Sequence, residues 1–550
     1  MPTATAIPST SRYAGLSWPL IIGSITYLGF LAYGNQLLGD GDTYWHIATG
    51  RWIIEHATVP TQDPFSHTMH GAPWTAHEWL SEVILALAHQ AGGWAGVVAV
   101  TALAFASTLA ILTRFLLKTL EPVHVLMFAA FAAMMAAPHL HARPHVLAMP
   151  LMVVWAAHLA HASERGTTPS FWLLPVMALW ANLHGGFTLG LALSLAFALE
   201  CILNARKSNQ TITAAKSWGI FVGLSLISAL LTPHGIKGLL FTLHILGKSY
   251  ALEHIGEWQS PNFHFVQPLE IWLLFGLAVA LHQGLRLPVM RLVLLLGLLH
   301  LALKHGRNIE LIGVLTPLFL AAPLARQWRE RADAGRHLAK LDLVFQSLAK
   351  PASPRMAAAT MAGLALITLL AVQFDTLRPE ETATPSAAVQ AARTARLTGP
   401  VLNEYGFGGY LIYAGIPPFI DGRADMYGDD FLKEYMEAVS LKNSDGLPKL
   451  LQKYHIERTL LLPESPAVAL LDHLPQGCQD GGQVGLELSD RLAEFSDFGA
   501  LIGEKQLEKL LKPFRVIDSA ADYFLPVLDQ NRVTRIFKNN IVLGIAAPEF

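Results

Sequence analysis

Long apolar stretches recur along the first two thirds of the chain, separated by short polar connections. The first stretch runs from Leu16 to Leu38 and holds 23 residues, enough to cross a bilayer at about 1.5 Å per residue. Only one basic residue, Arg12, precedes it, which favours a first membrane helix over a cleaved signal. Ten further stretches are centred on residues 92–113, 122–137, 144–162, 170–182, 186–203, 218–233, 268–284, 288–303, 308–325 and 356–374. The pattern predicts a polytopic α-helical membrane protein with about eleven transmembrane helices.

The placement of lysine and arginine predicts the orientation of these helices. Connections on the cytoplasmic side of a membrane carry an excess of both residues. With the N-terminus inside, most basic residues fall in inner connections, and the segment 326–355 is the most basic of all. We therefore expect a cytoplasmic N-terminus and a C-terminus on the outer face.

The character of the sequence changes after residue 375, where charged and turn residues become common. The runs 401–403, 411–413, 458–462, 514–518 and 533–537 have the composition of strands, whereas 431–439 and 446–454 have helical periodicity. The sequence thus predicts a transmembrane domain over 1–375, with a large first outer loop at 39–90, and an extracytoplasmic α/β domain over 376–550. In that second domain, Asp421, Arg423 and Asp425 follow a strand end; an arginine bridging two carboxylates is favoured there over a ligand site.

Composition agrees with a membrane protein and excludes other classes. Apolar residues make up 52% of the 550 residues and charged residues 15%, against about 25% charged in soluble proteins. The formal net charge of -2 provides no basic excess to neutralise phosphates, so nucleic acid is not an expected partner. The two cysteines form no CxxC pair, which excludes a thiolate zinc site.

Unusual polar clusters fall in six connections that this topology places on the outer side. Ionisable groups near membrane depth are costly unless they line a cavity or a site, so we expect a shared outer cavity. The alternative is that these loops are polar only because they are exposed to water. The clusters contain Asp40, Asp42 and His46; His77, Glu78 and Glu82; His139, His141, Arg143 and His145; Asn182 and His184; His234 and Glu257; and His305, Arg307 and Asn308.

The residue types in these clusters predict particular chemistry. Asp40 or Asp42 is suited to act as a general base, because burial would raise the pKa of a carboxyl toward neutrality; a helix cap is the competing interpretation. Arginine and imidazole suit phosphate oxygens, which makes Arg143, Arg307, His139, His141 and His184 candidate phosphate-binding residues. Contact of the arginines with lipid headgroups remains an alternative. His46 and Glu78 are candidate ligands of a divalent cation on a phosphate leaving group.

Several segments resemble the GT-C membrane glycosyltransferases, a superfamily that includes protein O-mannosyltransferases, aminoarabinose transferases and oligosaccharyltransferases. They are Asp40–His46, Pro73–Trp79 and Trp180–Gly185, while 406–410 and 421–427 look like a C-terminal domain of uncharacterised bacterial relatives. The resemblance implies a polyprenyl-phosphate sugar donor and places the role of base or metal ligand on Asp40 or Asp42. The Asp-Glu pair of the mannosyltransferases is absent, since Gly41 separates the two aspartates, and the WWDYG-type motif of oligosaccharyltransferases is absent too.

These observations together predict a glycosyltransferase of the bacterial inner membrane. It would move a sugar from a lipid-linked donor to a glycan, lipid or protein acceptor on the outer face, with a divalent cation as an optional cofactor. Two alternatives stay open: a transporter or flippase of a lipid-linked glycan, and a non-catalytic cell-envelope assembly protein.

Overall fold

Helices dominate the protein. The structure is a computed structural model that describes residues 15–206, 209–245, 250, 254–331, 340–374, 376–380, 384–471 and 542–544. Up to residue 374 the helices are Trp18–Ala32, Gly34–Leu37, Asp42–His56, Trp79–Leu116, Pro122–Ala136, Pro144–Arg165, Leu173–Leu183, Phe187–Ala205, Thr211–Ala229, Ile236–Ile245, Pro268–Gln283, Val289–Lys304, Ile309–Arg331, Lys340–Leu348 and Pro354–Phe374.

Each of the eleven predicted apolar stretches coincides with a helix. Seven helices of the described residues are long and apolar enough to cross a membrane: Trp79–Leu116, Pro122–His139, Pro144–Arg165, Phe187–Ala205, Thr211–Ala229, Gly306–Trp328 and Pro354–Phe374. The helices Trp18–Ala32, Leu173–Leu183 and Pro268–Gln283 are apolar but shorter. The chain is therefore a membrane protein of mostly helical fold, and the total of eleven spans stays a prediction.

Proline and glycine set many of the helix boundaries. Pro122, Pro144 and Pro268 lie at the start of their helices, where the missing N–H group is not needed and the fixed φ angle suits a helix. Gly166 and Gly284 end two helices in the left-handed conformation, which glycine adopts without a steric penalty.

Residues 74–89 have an amphipathic pattern that predicts a helix, but the helix of the structure begins later and continues into a membrane span. The helix starts at Trp79 and runs to Leu116, with a kink at Gly92 and Gly93. Gly93 has a φ of 56°, a conformation that strongly favours glycine. The glycine pair therefore lets one long helix combine a juxtamembrane segment with a spanning segment.

Contacts between Cα atoms divide the chain into two compact units, residues 1–62 with 73–380 and residues 63–72 with 381–550. In the first unit, the helix Trp79–Leu116 packs against Trp18–Ala32, Asp42–His56 and Pro144–Arg165. Its contact with Asp42–His56 is very close at Gly50, where an added Cβ atom would lie 2.0 Å from the carbonyl oxygen of Glu82.

The second unit contains a small sheet with helices around it. The described strands are β1, Val401–Asn403, β2, Arg458–Leu461, and β3, Val542–Gly544. Strand β1 pairs with β2 in parallel and β2 with β3 antiparallel. The helices are Ser386–Thr394, Gly408–Tyr413, Ala424–Tyr427, Asp429–Val439, Gly446–Lys453 and Pro466–Leu471, and the core is built from Ala388, Val389, Val401, Phe407, Leu411 and Leu460.

Some predictions for this unit are confirmed and one is wrong. The strands at 401–403 and 458–462 and the helices at 431–439 and 446–454 are present. The run 411–413 is helical instead, because Phe407 and Leu411, four residues apart, both point into the core. The predicted strands at 514–518 and 533–537 lie outside the described residues.

A buried ionic network holds the segment 63–72 within the second unit. The guanidinium of Arg423 donates to both carboxylate oxygens of Asp421 and to Oδ1 of Asp63, each at 2.7 Å. The hydroxyl of Tyr427 donates to Asp421 as well, at 2.7 Å. The arginine does bridge two carboxylates, as the sequence favoured, but the second one is Asp63 rather than Asp425.

Candidate active site

Two chain segments of the first unit bring the predicted acidic and basic residues together. Asp42 is the first residue of the helix Asp42–His56, and Arg143 directly precedes the helix that starts at Pro144. The N–H of Ala142 donates to the carbonyl of Leu37 at 2.8 Å, and the hydroxyl of Thr43 donates to the carbonyl of Ala142 at 3.2 Å. These bonds fix the backbone of the arginine beside the backbone of the aspartates.

Arg143 lies at the centre of a cluster of carboxylates. Its Nε atom forms an ion pair with Asp40, its Nη2 atom lies 2.7 Å from Oδ2 of Asp42, and its Nη1 atom lies 2.6 Å from Oε2 of Glu257. We call Asp40, Asp42, Glu257 and Arg143 the carboxylate–arginine cluster. Its side chains are 12% to 31% exposed, so the charges are largely withdrawn from water.

A second arginine extends the cluster. Nη1 of Arg307 lies 2.9 Å from Oε1 of Glu257, and its guanidinium lies over the ring of Trp258 at 4.3 Å from the centroid. A hydrogen bond from the N–H of Gly306 to the carbonyl of Gln259, 2.8 Å long, joins the two short turns that carry these residues. Glu257 therefore bridges the two guanidinium groups.

The pKa values of the two aspartates are shifted in opposite directions. Burial raises the pKa of Asp42 to about 7, and the negative charges of Asp40 and Glu257 contribute, while Arg143 offsets only part of the rise. Burial acts on Asp40 in the same direction, but the paired Arg143 outweighs it and lowers the pKa of that carboxyl. The pKa of Glu257 is also lowered, because Arg143 and Arg307 outweigh its burial. Two carboxyls whose environments separate their pKa values are typical of acid–base sites.

The histidines of 139–141 lie near this cluster. His141 interacts electrostatically with Asp40, and His139 interacts with Glu257 and Arg307. The Nδ1 atom of His141 is buried and has no hydrogen-bond partner among the residues that the structure describes. Two of the three predicted phosphate-binding histidines, His139 and His141, thus lie within electrostatic range of the cluster.

Glu78 and His184 belong to a neighbouring group. Nε2 of His184 lies 3.4 Å from Oε1 of Glu78, and Nε2 of His77 lies 3.7 Å from the same atom. The indole of Trp79 donates to Asn182 at 2.8 Å, which holds the start of one helix against the end of the other. Burial lowers the pKa of His184 to about 3, with Arg307 and His77 contributing, so its imidazole is neutral.

His46 pairs with a different carboxylate, Glu82. Its Nδ1 atom is 3.4 Å from Oε1 of Glu82, and both side chains are buried. Burial lowers the pKa of His46 well below its usual value, and Arg143 lowers it further. The charges of Arg143 and Asp40 and the imidazoles of His77 and His184 all lie within electrostatic range of His46.

The predicted pair of metal ligands is therefore divided between different partners. In the described part of the chain, no group of three or more histidine, cysteine, aspartate or glutamate side chains is arranged to hold a metal ion. The carboxylates of the cluster face the guanidinium of Arg143 instead. A divalent cation does not fit this arrangement as it stands.

Other carboxylates near these groups were not assigned from the sequence. Glu257 was noted only as part of a polar cluster, yet it joins Arg143 to Arg307. Oε2 of Glu310 lies 3.6 Å from Nε2 of His145. The sequence does not indicate these contacts, because the residues are far apart along the chain: Glu257 is 114 residues from Arg143.

A separate ionic network lies at the other end of the helix Pro144–Arg165. Arg291 is 1% exposed within the helix Val289–Lys304. Its Nε atom donates to Glu200 at 2.7 Å and its Nη1 atom to Glu164 at 3.4 Å. Remaining donors of Arg291 bond the carbonyls of Phe319 and Ala160. All three nitrogens have partners, which is typical of a structural ion pair.

Comparison with known proteins identifies a solved structure with a similar fold. No family model and no curated protein matches the chain. The apo structure of the oligosaccharyltransferase from Archaeoglobus fulgidus matches with a TM-score of 0.50 and 12% identity, covering 83% of this chain and 70% of that one. The protein thus has the fold of the GT-C membrane glycosyltransferases, which confirms the resemblance at the level of fold.

Two further structures match less well. The oligosaccharyltransferase AglB from Archaeoglobus fulgidus, in complex with an inhibitory peptide and a dolichol-phosphate, has a TM-score of 0.49 at 12% identity and covers 81% of this chain and 69% of that chain. ArnT from Cupriavidus metallidurans, bound to undecaprenyl phosphate, has a TM-score of 0.42 at 14% identity and covers 83% of this chain and 95% of that chain.

Proposed function

We propose that this protein is a membrane glycosyltransferase of the bacterial inner membrane that takes a sugar from a polyprenyl-phosphate-linked donor. The acceptor is a hydroxyl group of a glycan, lipid or protein on the outer face. The observation that carries the proposal is the pair Asp40 and Asp42, held by one arginine yet protonating at different pH. The GT-C fold agrees with this class of reaction.

Asp42 is the proposed general base. With a pKa of about 7, it is partly deprotonated near neutral pH and still basic enough to accept a proton. The acceptor hydroxyl gives its proton to Asp42 while its oxygen attacks the anomeric carbon of the sugar. The bond from that carbon to the phosphate oxygen breaks, and the lipid phosphate leaves with the electron pair. The configuration at the anomeric carbon is inverted.

Arg307 is the better placed of the two arginines to receive the phosphate. All three side-chain nitrogens of Arg143 contact carboxylates. Arg307 contacts Glu257 through Nη1, and among the described residues its Nε and Nη2 atoms have no hydrogen-bond partner. A guanidinium with two donors available matches two phosphate oxygens. His139 lies within electrostatic range of it.

Mass spectrometry of cell-envelope glycans tests this function in cells. Strains carrying the wild-type protein, a gene deletion, Asp42→Asn or the control Asp445→Asn are compared. Asp445 is 74% exposed and contacts only surface groups, an ion pair with Lys449 and a hydrogen bond from the hydroxyl of Ser444. We expect one glycan to lose a sugar in the deletion and in Asp42→Asn, and to be intact in the control. Full modification in Asp42→Asn, with the deletion deficient, would contradict the role of Asp42.

A further inference from the structure

The three carboxylates around Arg143 are arranged as ligands of a single positive charge. Asp40 and Asp42 come from one segment and Glu257 from a distant one, and each carboxylate pairs with a different nitrogen of the guanidinium. Carboxylate oxygens converging on one point are the ligands that Mg²⁺, Mn²⁺ and Ca²⁺ prefer. In this protein the guanidinium of Arg143 occupies that point.

The fold builds Arg143 into this position. The residue has extended backbone angles, φ -121° and ψ 159°, which a following proline favours. Its neighbour Ala142 is bonded on both sides, to Leu37 through the N–H and to Thr43 through the carbonyl. Because the backbone is fixed at the start of a long helix, the guanidinium is pre-organised and does not depend on a bound ligand.

A divalent cation could reach these carboxylates only by displacing the guanidinium. Arg143 carries one permanent positive charge at any accessible pH, and the carboxylates raise its pKa further despite its burial. Two cations at one partly buried point repel strongly, because water screens them poorly.

We propose that Arg143 is the resident cation of this site, holding Asp40, Asp42 and Glu257 where a divalent metal would otherwise be needed. The proposal makes two statements. Sugar transfer, which rests on the proposed function, proceeds without a divalent cation. Removal of the guanidinium converts the three carboxylates into a binding site for a divalent cation, and this holds whatever reaction the protein performs. Arg143 is thus a positioning residue that acts through the carboxylates.

Mn²⁺ binding to the purified protein in detergent tests the second statement directly. Titration calorimetry and the electron paramagnetic resonance signal of free Mn²⁺ measure binding without any substrate. We expect no stoichiometric binding to the wild type, and one site in Arg143→Gln with a dissociation constant on the order of 10⁻⁴ M or tighter. Arg143→Lys keeps the charge, so it should bind no Mn²⁺.

Two further variants locate the site. Arg307→Gln removes the other guanidinium that contacts Glu257 but leaves Arg143 in place. We expect this variant to bind no Mn²⁺. The double variant Arg143→Gln/Asp40→Asn should lose the site that Arg143→Gln gains. Size-exclusion chromatography checks that each variant is folded. The proposal is overturned if Arg143→Gln is folded and binds no Mn²⁺. It is also overturned if the wild type binds Mn²⁺ and Asp40→Asn abolishes that binding. Should Arg143→Gln fail to fold, the wild-type titration still tests whether Arg143 excludes a divalent cation from the carboxylates.

Transfer assays test the first statement and separate it from the proposed function. If the wild type transfers sugar equally well with and without EDTA, and Arg143→Lys retains more activity than Arg143→Gln, the proposal is supported. Loss of wild-type transfer in EDTA and its recovery with Mn²⁺ would overturn it. Absence of transfer under every condition would contradict the proposed function, while the Mn²⁺ titrations would still decide the role of Arg143.

Discussion

Replacing Arg423 with methionine should destabilise the second unit severely. The side chain is 1% exposed, and the two carboxylates that it bridges, Asp421 and Asp63, are fully buried. Methionine keeps much of the apolar stem but leaves two buried negative charges without a counter-charge. Removing one partner of a buried ion pair costs about 3–5 kcal/mol, and three charge-assisted hydrogen bonds are lost here. We expect the free energy of unfolding of the second unit to fall by that amount or more.

Hydrogen exchange of the full-length protein, followed by mass spectrometry, measures this loss locally. A destabilisation of 4 kcal/mol corresponds to roughly a 10³-fold rise in exchange for amides that exchange by opening of the unit. The effect should appear in peptides of 401–435 and also in those of 63–72, because the arginine joins the two segments. Lys442→Met is the control, since the ion pair of that lysine with Glu437 is exposed at the surface, where such pairs contribute under about 1 kcal/mol.

The reasoning would be refuted if Arg423→Met exchanged like Lys442→Met in both sets of peptides. A rise confined to 401–435 would show that the bond to Asp63 does not hold the segment 63–72. Arg423→Lys adds a graded case: the charge is kept, but the paired bonds to Asp421 need the guanidinium, so an intermediate rise is expected.

Three further predictions concern the first unit. The initial rate of sugar transfer should rise with pH through about 7, because the pKa of Asp42 is raised to that value and only the deprotonated carboxylate accepts a proton. A pH–rate profile from pH 5 to 9 measures this rise, and a flat profile would argue against Asp42 as the base. Gly50→Ala should lower the melting temperature in detergent by disrupting the packing of two helices, since its Cβ would lie 2.0 Å from the Glu82 carbonyl oxygen; Gly29→Ala, where nothing lies within 4 Å, should not, and equal melting temperatures would contradict the close contact. Arg291→Met should cost about 3–5 kcal/mol by leaving Glu200 buried without its partner, measured by unfolding in denaturing detergent, and wild-type stability would show that the network contributes little.

Much of the helical fold could be predicted from the sequence because it follows from local pattern. The apolar spacing of Tyr44, Ile47 and Ile54 predicts a juxtamembrane helix over 42–56, and the structure has that helix, Asp42–His56. Pro144 marks the start of the helix that follows Arg143, which placed that arginine near a helix end. Such features depend on periodicity and on the geometry of proline, and both are visible in a single chain.

Pairings between distant residues could not be predicted. The spacing of Glu78 and Glu82, four residues apart, predicts that they share a helix face. Glu78 precedes the helix and pairs with His184, whereas Glu82 is inside it and pairs with His46. The bond from Arg423 to Asp63 joins residues 360 positions apart. Tertiary packing decides such contacts, and the pattern of one sequence does not reveal it.

The most direct test of the central claim is a transfer reaction with purified protein. A polyprenyl phosphate carrying a radiolabelled sugar is incubated in detergent with envelope extract as acceptor, and both products are measured: labelled acceptor and free polyprenyl phosphate. We predict that the wild type and Asp445→Asn produce both in equal amounts and that Asp42→Asn produces neither. Movement of the intact donor between leaflets of proteoliposomes, without cleavage of the sugar–phosphate bond in either assay, would show a transporter and contradict the account.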